Sequence, residues 1–222
     1  MAIAFDAKVE KVDAGVSESS STQSFTVGSL TNGILVVATH HYAVGGATIS
    51  GITWNGSALT LVVATLDQPF GPGYDNQIWY IKNPASGTHD VVITFSGSDT
   101  IYLSAGIISL SGVDQTTPID TSTKTGIVNG TTATVTLSVV SNAWMISVVD
   151  FDNQAITGHG GGQTTIGIGA LKTEESYSGP LSSGSNSHTY TTALADDWYA
   201  SAVSLKPAAV SSVSRMMLMG VG

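Results

Sequence analysis

Two aspartates at alternate positions are the residues of this 222-residue chain best suited to hold a metal ion. Asp150 and Asp152 flank Phe151, and side chains two apart share one face of an extended strand. With Asn153 beside them, they would offer the oxygen ligands that calcium prefers. The loop pattern of EF-hands is absent. We therefore favour solvated carboxylates at a strand end over a calcium site, and we expect no metal and no cofactor.

Catalytic patterns are missing from the sequence. His40 and His41 are neighbours, so on a strand they point to opposite faces and cannot readily share one metal. There is no H-E-x-x-H zinc motif and no G-x-S-x-G nucleophile elbow. Carboxylates are present, but no spacing selects the facing pair that a glycosidase needs. We expect no catalytic residues and a protein that is not an enzyme. Turn roles are favoured for His89 and His188, which precede similar predicted strands.

Aromatic residues could form a platform for a sugar ring. The chain has four tryptophans and seven tyrosines, and the tryptophans lie within apolar strand patterns, which favours packing in a core or an interface. Trp54 and Tyr74 lie next to predicted loops. They are the candidates for contact with a surface glycan.

The elements that must position these residues are predicted to be β-strands. Apolar and polar residues alternate in many short segments, which Gly, Asn, Asp and Pro separate, and no segment has helical periodicity. Asn55 and Gly56, between Trp54 and Ser57, predict a tight hairpin because both tolerate positive φ. Gln68–Gly73 and Gly158–Gly162 are predicted loops. The strands are expected near residues 3–12, 22–28, 33–43, 47–54, 58–66, 76–82, 88–95, 100–112, 132–140, 143–151, 163–171, 187–193 and 198–206.

Composition limits the classes of partner. The net charge is −9, from 16 acidic and 7 basic residues. Nucleic-acid binding is driven by counterions that Lys and Arg release from the phosphates, and this chain has few such residues. Attraction to an anionic membrane is disfavoured for the same reason. The chain has no cysteine and opens without the basic and apolar regions of a signal peptide. We expect synthesis in a host cytoplasm, with no nucleic-acid or membrane partner.

A weak internal repeat relates the two halves. Residues 26–37 resemble residues 136–147, and the offset places Asn142 opposite Asn32, 110 residues apart. Either two small sandwiches lie in tandem, or two half-motifs interleave in one jelly roll. We favour the second arrangement. The predicted fold is thus all-β, a two-sheet antiparallel β-sandwich of jelly-roll type over residues 1–207, with a linker and an extended C-terminal tail over 208–222.

Several segments resemble a broad family of jelly-roll β-sandwich proteins. The hairpin GITWNGSALTLV, the strands IWYIKNP and THDVVITFSG, the motif SLSGVDQTTPI and the closing strand WYASAVSLKP carry the resemblance, which spans roughly residues 33–207. Members are mostly uncharacterised. They occur in tailed-phage genomes and as modules of bacterial surface proteins. The resemblance implies a sandwich fold and a virion or surface role, and it implies no catalytic residue.

The tail is the segment most suited to assembly. Three of the five methionines lie in the last eight residues, and methionine adapts to irregular apolar surfaces. The expected assembly residues are Met216, Met217, Leu218, Met219 and Val221. We predict a non-enzymatic bacteriophage structural protein that is located in the virion, most simply a head (capsid) decoration protein and otherwise a tail component. Its partners would be further copies of itself, as a homo-oligomer, and other virion proteins. The alternative is an adhesin or a carbohydrate-binding module of a cell surface or filament.

Overall fold

The computed structural model describes residues 1–65, 74–169 and 172–209. Within these ranges it contains strands and turns but no helix, and none of the described residues forms a helix that could cross a membrane. The prediction of an all-β, two-sheet antiparallel β-sandwich is confirmed. The strands are β1 (Ala4–Val27), β2 (Ile34–Ala43), β3 (Ile49–Trp54), β4 (Ser57–Ala58), β5 (Thr60–Thr65), β6 (Tyr74–Lys82), β7 (Gly87–Ser111), β8 (Ile119–Val139), β9 (Ala143–Phe151), β10 (Ile156–His159), β11 (Thr164–Gly167), β12 (Thr173–Leu181) and β13 (Gly184–Leu205).

Each sheet is built from one half of the chain. The first sheet has the order β4-β3-β7-β2-β6-β5, with β1 on β7, and the second has the order β10-β13-β9-β12-β11, with β8 on β13. The favoured interleaving of half-motifs is therefore wrong. Alternating apolar residues indicate that a strand exists, but they do not specify the strand with which it pairs. The assignment of residues 1–207 to a single domain stays a prediction.

The central strands β2 and β9 are buried on both faces. Leu35 and Val37 point into a core lined by the first sheet alone. Met145, Val149 and Phe151 point into a core lined by the second sheet alone. The opposite faces of the two strands meet in a third core, which joins the sheets. Its residues from these strands are Ile34, Val36, Ala38, Trp144, Ile146 and Val148. A strand with two buried faces has a nearly continuous apolar sequence, as both strands do.

Long strands replace several of the short strands predicted from the sequence. β1 pairs with β7 from Ala4↔Ser111 to Val27↔Gly87, with register shifts that include one between Glu18 and Ser20. Such bulges bend a strand and let it continue around a corner. The predicted breaks within these strands and within β13 are thus bends. β12 was not predicted, and Gly158 belongs to β10 rather than to a loop. The predicted loop at 68–73 lies outside the described residues.

Matching turns precede β2 and β9. Asn32 and Asn142 both have left-handed backbone, with φ of 53° and 62°, which Asn tolerates better than most residues. The Trp54–Ser57 hairpin is confirmed, since Asn55 and Gly56 have φ of 46° and 75° and Trp54 pairs with Ser57.

The two ends of the sandwich differ, and we call them the base and the tip. At the base, the Met1 amino group donates a hydrogen bond to the Ala208 carbonyl, and Val113 forms a bridge with Pro207. At the tip, Tyr42 of β2 lies between Tyr74 of β6 and Tyr102 of β7. β2 runs from base to tip, and the eight steps from Ile34 to Tyr42 span roughly 25 Å.

Candidate functional site

Three tyrosines form a stacked row across the tip of the first sheet. Tyr42 lies directly opposite Tyr74 on one neighbouring strand and opposite Tyr102 on the other. The ring centroids of Tyr42 and Tyr74 are 4.3 Å apart and those of Tyr42 and Tyr102 are 5.9 Å apart, with interplanar angles of 25° and 26°. Cross-strand aromatic pairs of this kind stabilise a sheet. Tyr102 keeps 46% of its surface exposed, so the row also faces solvent.

A polar contact between the sheets lies directly beneath this row. His40, two residues before Tyr42 on the same face of β2, brings its Nε2 within 3.5 Å of Asp150 Oδ1 on β9. The Asn76 amide nitrogen donates to the Tyr199 carbonyl at 3.2 Å, and its Oδ1 lies 2.8 Å from His40 Nδ1. This orientation of the amide requires that His40 Nδ1 carries the proton. Burial lowers the pKa of His40 to about 4, so the imidazole is neutral at pH 7.

The tyrosine row and Asp150 form opposite walls of a cleft. The cavity has a volume of about 310 Å³ and is lined by residues of both sheets beyond their shared core. Asp152 and Lys172 lie at its mouth, and the Lys172 ammonium donates to the Asp152 carbonyl at 2.8 Å. Burial raises the pKa of Asp150 well above its usual value, and the nearby Asp152 carboxylate adds to the rise. The cleft thus combines apolar surface with a few polar groups, as small-molecule sites do.

A second buried carboxyl lies deeper between the sheets. Glu175 of β12 is fully buried and packs against Gly106 of β7, where a β-carbon would come within 2.5 Å of the Glu175 β-carbon. Burial raises the pKa of Glu175 to about 8, the Ser104 hydroxyl acts against the rise, and the Glu10 carboxylate adds to it. Glu175 is therefore largely protonated at pH 7 and stands between the sheets without a charge.

The arrangement that most resembles a catalytic one lies inside the second sheet. His188 Nε2 is 2.7 Å from the Ser178 hydroxyl, while Nδ1 contacts Ser147, whose hydroxyl also bonds Tyr190 at 2.6 Å. Burial lowers the pKa of His188 to about 3. A base this weak is poorly matched to proton abstraction at neutral pH. The hydrogen bonds instead satisfy polar groups inside a core. The expected turn role of His188 is wrong, because the residue is buried within β13.

Trp54 is not available to a glycan. Its side chain is only 1% exposed, its indole nitrogen donates to the Ala85 carbonyl at 3.2 Å, and its ring packs edge-on against Phe25. The hairpin beside it is exposed, but alternation along β3 turns the tryptophan inward. The other tryptophans are also buried. Tyr74, by contrast, lines the cleft.

The structure places Asp150 and Asp152 at the same cleft but in different settings. Asp150 lies inside β9 and is 4% exposed, whereas Asp152 follows the strand and accepts a bond from the Asn153 amide at 2.6 Å. In the described ranges, no group of three or more acidic or histidine side chains is placed to hold a metal. His40 and His41 do point to opposite faces, since His41 bonds the Ala47 carbonyl at 3.0 Å and stacks near Phe95.

Sequence reasoning missed Tyr42 and Tyr102. They lie far from Tyr74 in the chain, and only the pairing of β2 with β6 and β7 brings the three together. The one local signal is the alternation of His40 and Tyr42 beyond an apolar strand. The predicted assembly residues, Met216, Met217, Leu218, Met219 and Val221, lie outside the described residues.

Comparison with known proteins gives no family for this chain. No family model matches it, and no curated protein matches it.

Proposed function

We propose that this protein is a non-enzymatic structural component of the outer surface of a bacteriophage virion, attached through its base. The observation that carries the proposal is the meeting of Met1 with Ala208 at the base. Ala208, two residues before the tail segment 210–222, therefore lies at the end of the sandwich opposite the tyrosine cleft. An attachment there would leave the tip directed outwards.

The buried chemistry of the protein supports a scaffold rather than a catalyst. His40, His41 and His188 are neutral at pH 7, since burial lowers the pKa of each, to about 4, 4 and 3. Their ring nitrogens contact groups of the cores and of the sheet interface. The shared core between the sheets holds them together, which suits a rigid surface module. A head decoration protein fits this description first and a tail or fibre component second.

Deletion of residues 210–222 tests attachment through the base. Full-length and truncated proteins would be mixed with virus particles from a lysate of the encoding strain, and the particles would be sedimented. We expect the full chain to sediment with the particles and the truncated chain to remain in the supernatant. The melting temperatures of the two should agree, because the residues that line the three described cores all precede the deletion, the last of them being Leu205.

A matched variant separates apolar contact from tail length. Replacing all five predicted assembly residues, Met216, Met217, Leu218, Met219 and Val221, by Ser keeps the length of the tail but removes most of its apolar surface. This variant should abolish sedimentation as the deletion does. Sedimentation of the truncated chain, or failure of the full chain to bind any particle, would refute attachment through the tail.

A second candidate function is a carbohydrate-binding adhesin of a cell surface or filament. The specific observation in its favour is the cleft at the tip, with its aromatic wall and nearby polar side chains. The two functions are compatible in one molecule, because the base and the cleft lie at opposite ends of the sandwich.

A further inference from the structure

The cleft at the tip has the features of a built binding site. One wall is the stacked row of Tyr42, Tyr74 and Tyr102, and the other carries Asp150 and Thr173 from neighbouring strands of the second sheet. The walls belong to different sheets, and the shared core fixes their separation. A preformed site of this kind loses little conformational entropy when a ligand binds.

The charges around the cleft select the class of ligand. Asp152 and Lys172 at the mouth carry opposite charges. Asp13 also lines the cleft, but its carboxylate pairs with the Lys11 ammonium at 2.7 Å. Neither an anion nor a cation is therefore favoured overall. His40 and Asp150 in the interior add hydrogen-bonding groups; burial lowers the pKa of His40 to about 4 and raises the pKa of Asp150 well above its usual value. Tyrosine hydroxyls both donate and accept, the ammonium donates, and the carboxylate accepts. A ligand with many neutral hydroxyl groups can hydrogen-bond to all of these donors and acceptors at once.

Size and surface agree with the same class. The cavity of about 310 Å³ lies at the lower end of the range for small-molecule sites. Tyrosine offers an apolar ring with a polar tip, and sugar rings have apolar C–H faces bordered by hydroxyls. From the tyrosine row, the balanced charges and the volume, we infer that the cleft binds a neutral saccharide of one or two sugar rings, as the terminal part of a surface glycan. This inference rests on the second candidate function and does not depend on attachment through the base.

Glycan binding can be measured directly on the full-length protein. The probes would be an array of neutral, anionic and cationic oligosaccharides, followed by titration calorimetry with the strongest neutral ligand. We expect binding to neutral glycans and none that requires a charged group. A dissociation constant weaker than about 1 mM for every neutral glycan, which corresponds to a binding free energy of only about −4 kcal/mol, would overturn the inference. So would a preference for charged glycans alone.

Two aromatic variants of equal exposure locate the site. Tyr102→Ala removes the most exposed ring of the row, and Phe5→Ala removes a ring of similar exposure from β1 at the base, with exposed fractions of 46% and 44%. Tyr102→Ala should weaken binding about tenfold or more, and Phe5→Ala should leave it unchanged. Equal effects of the two would place the glycan elsewhere and refute the site.

Two further experiments distinguish loss of binding from loss of folding: a variant at the mouth of the cleft and a map of amide chemical shifts. Asp152→Asn should weaken binding about threefold to tenfold through loss of a charged acceptor, while the melting temperature stays close to that of the parent. Amide chemical shifts in ¹⁵N-labelled protein should move around Tyr42, Tyr102 and Asp152 upon addition of the saccharide. Shifts confined to the base or to the Trp54 hairpin would contradict the inference. Failure of these tests would leave attachment through the base untouched.

Discussion

The two ends of the sandwich use the same pair of strands in opposite ways. Towards the base, β2 and β9 face each other with apolar side chains such as Val36 and Ile146, and the sheets close on an apolar core. Towards the tip, the same faces carry His40, Tyr42 and Asp150, and the two sheets line a cleft. A few residues along one strand therefore change the interface from one that holds the sheets together to one that can receive a ligand.

The polar end of the sandwich depends on the apolar end. Burying the polar side chains of His40 and Asp150 costs free energy. Apolar burial offsets this cost at roughly 25 cal/mol per Å², and the residues that β2 and β9 contribute to the shared core lie on the base side of His40 and Asp150. The tip can thus hold groups with shifted pKa values because the base supplies the stability.

The largest expected effect tests the apolar end. Ile146→Ala should lower the free energy of unfolding by about 2–5 kcal/mol, because it leaves a cavity in the shared core. Urea denaturation followed by tryptophan fluorescence would measure the change. Val140→Ala, at a residue 37% exposed, is the control and should change stability by less than about 0.5 kcal/mol. A similar small loss for Ile146→Ala would show that the sheets do not depend on this core.

Glu175 between the two ends should make stability depend on pH. The folded protein keeps this proton up to about pH 8, whereas the unfolded chain loses it near 4.5. Unfolding within this window releases a proton, so the Glu175 contribution lowers stability as the pH rises from 4.5 to 8, and the loss is complete above that pH. Relative to the parent, Glu175→Gln should gain up to about 1.4 kcal/mol per pH unit over the window, or about 3 kcal/mol by pH 7.

Thermal melts of Glu175→Gln and the parent from pH 4 to pH 9 would measure this difference. Asp90→Asn, which removes an exposed carboxylate, controls for the change in net charge. Parallel pH profiles for Glu175→Gln and the parent would mean that the buried carboxyl has no raised pKa.

The tyrosine row should contribute less to stability than the shared core. Tyr42→Ala removes the middle ring and should cost about 1–2 kcal/mol, since the ring is only half-buried and its cross-strand partners remain. Tyr42→Phe keeps both stacked contacts and should cost under about 0.5 kcal/mol. Chemical denaturation of the two variants separates stacking from the hydroxyl group. A loss from Tyr42→Ala equal to that from Ile146→Ala would remove the contrast between the ends.

The turns before β2 and β9 should respond alike. Asn32→Ala and Asn142→Ala should each lower the free energy of unfolding by about 1 kcal/mol. The β-carbon of alanine makes positive φ unfavourable, and alanine lacks the local hydrogen bonds by which asparagine offsets that cost. Glycine at either position should be nearly neutral. Unequal costs, measured by urea denaturation, would show that the two turns are not equivalent in the two halves.

The smallest effect is expected from removal of metal ions. Treatment with EDTA should leave the melting temperature within about 1 °C, because Asp150 and Asp152 alone offer too few ligands for calcium. Differential scanning calorimetry with and without added calcium would measure the change. A large loss upon chelation, restored by calcium, would assign the cleft to a metal instead of a sugar.

Local sequence patterns determined the type of secondary structure and the position of several strands and turns. Short apolar runs bounded by turn residues predicted β2 and β9, and Asn55 and Gly56 predicted the Trp54–Ser57 hairpin, because strand propensity and a left-handed turn are properties of neighbouring residues. They could not show that β1 and β7 bend rather than end, since a bulge keeps the pairing while it breaks the alternation.

Tertiary structure alone decided the pairing of strands and the site. Tyr42, Tyr74 and Tyr102 come from three strands, and His40 meets Asp150 from the other sheet. Trp54 shows the converse, since its place beside a turn suggested exposure while the pleat buried it. The physical reason is the separation of the interacting residues along the chain. Hydrogen-bond register and the packing of one sheet on another join residues that are distant in the chain, and no local pattern records which distant partners will meet.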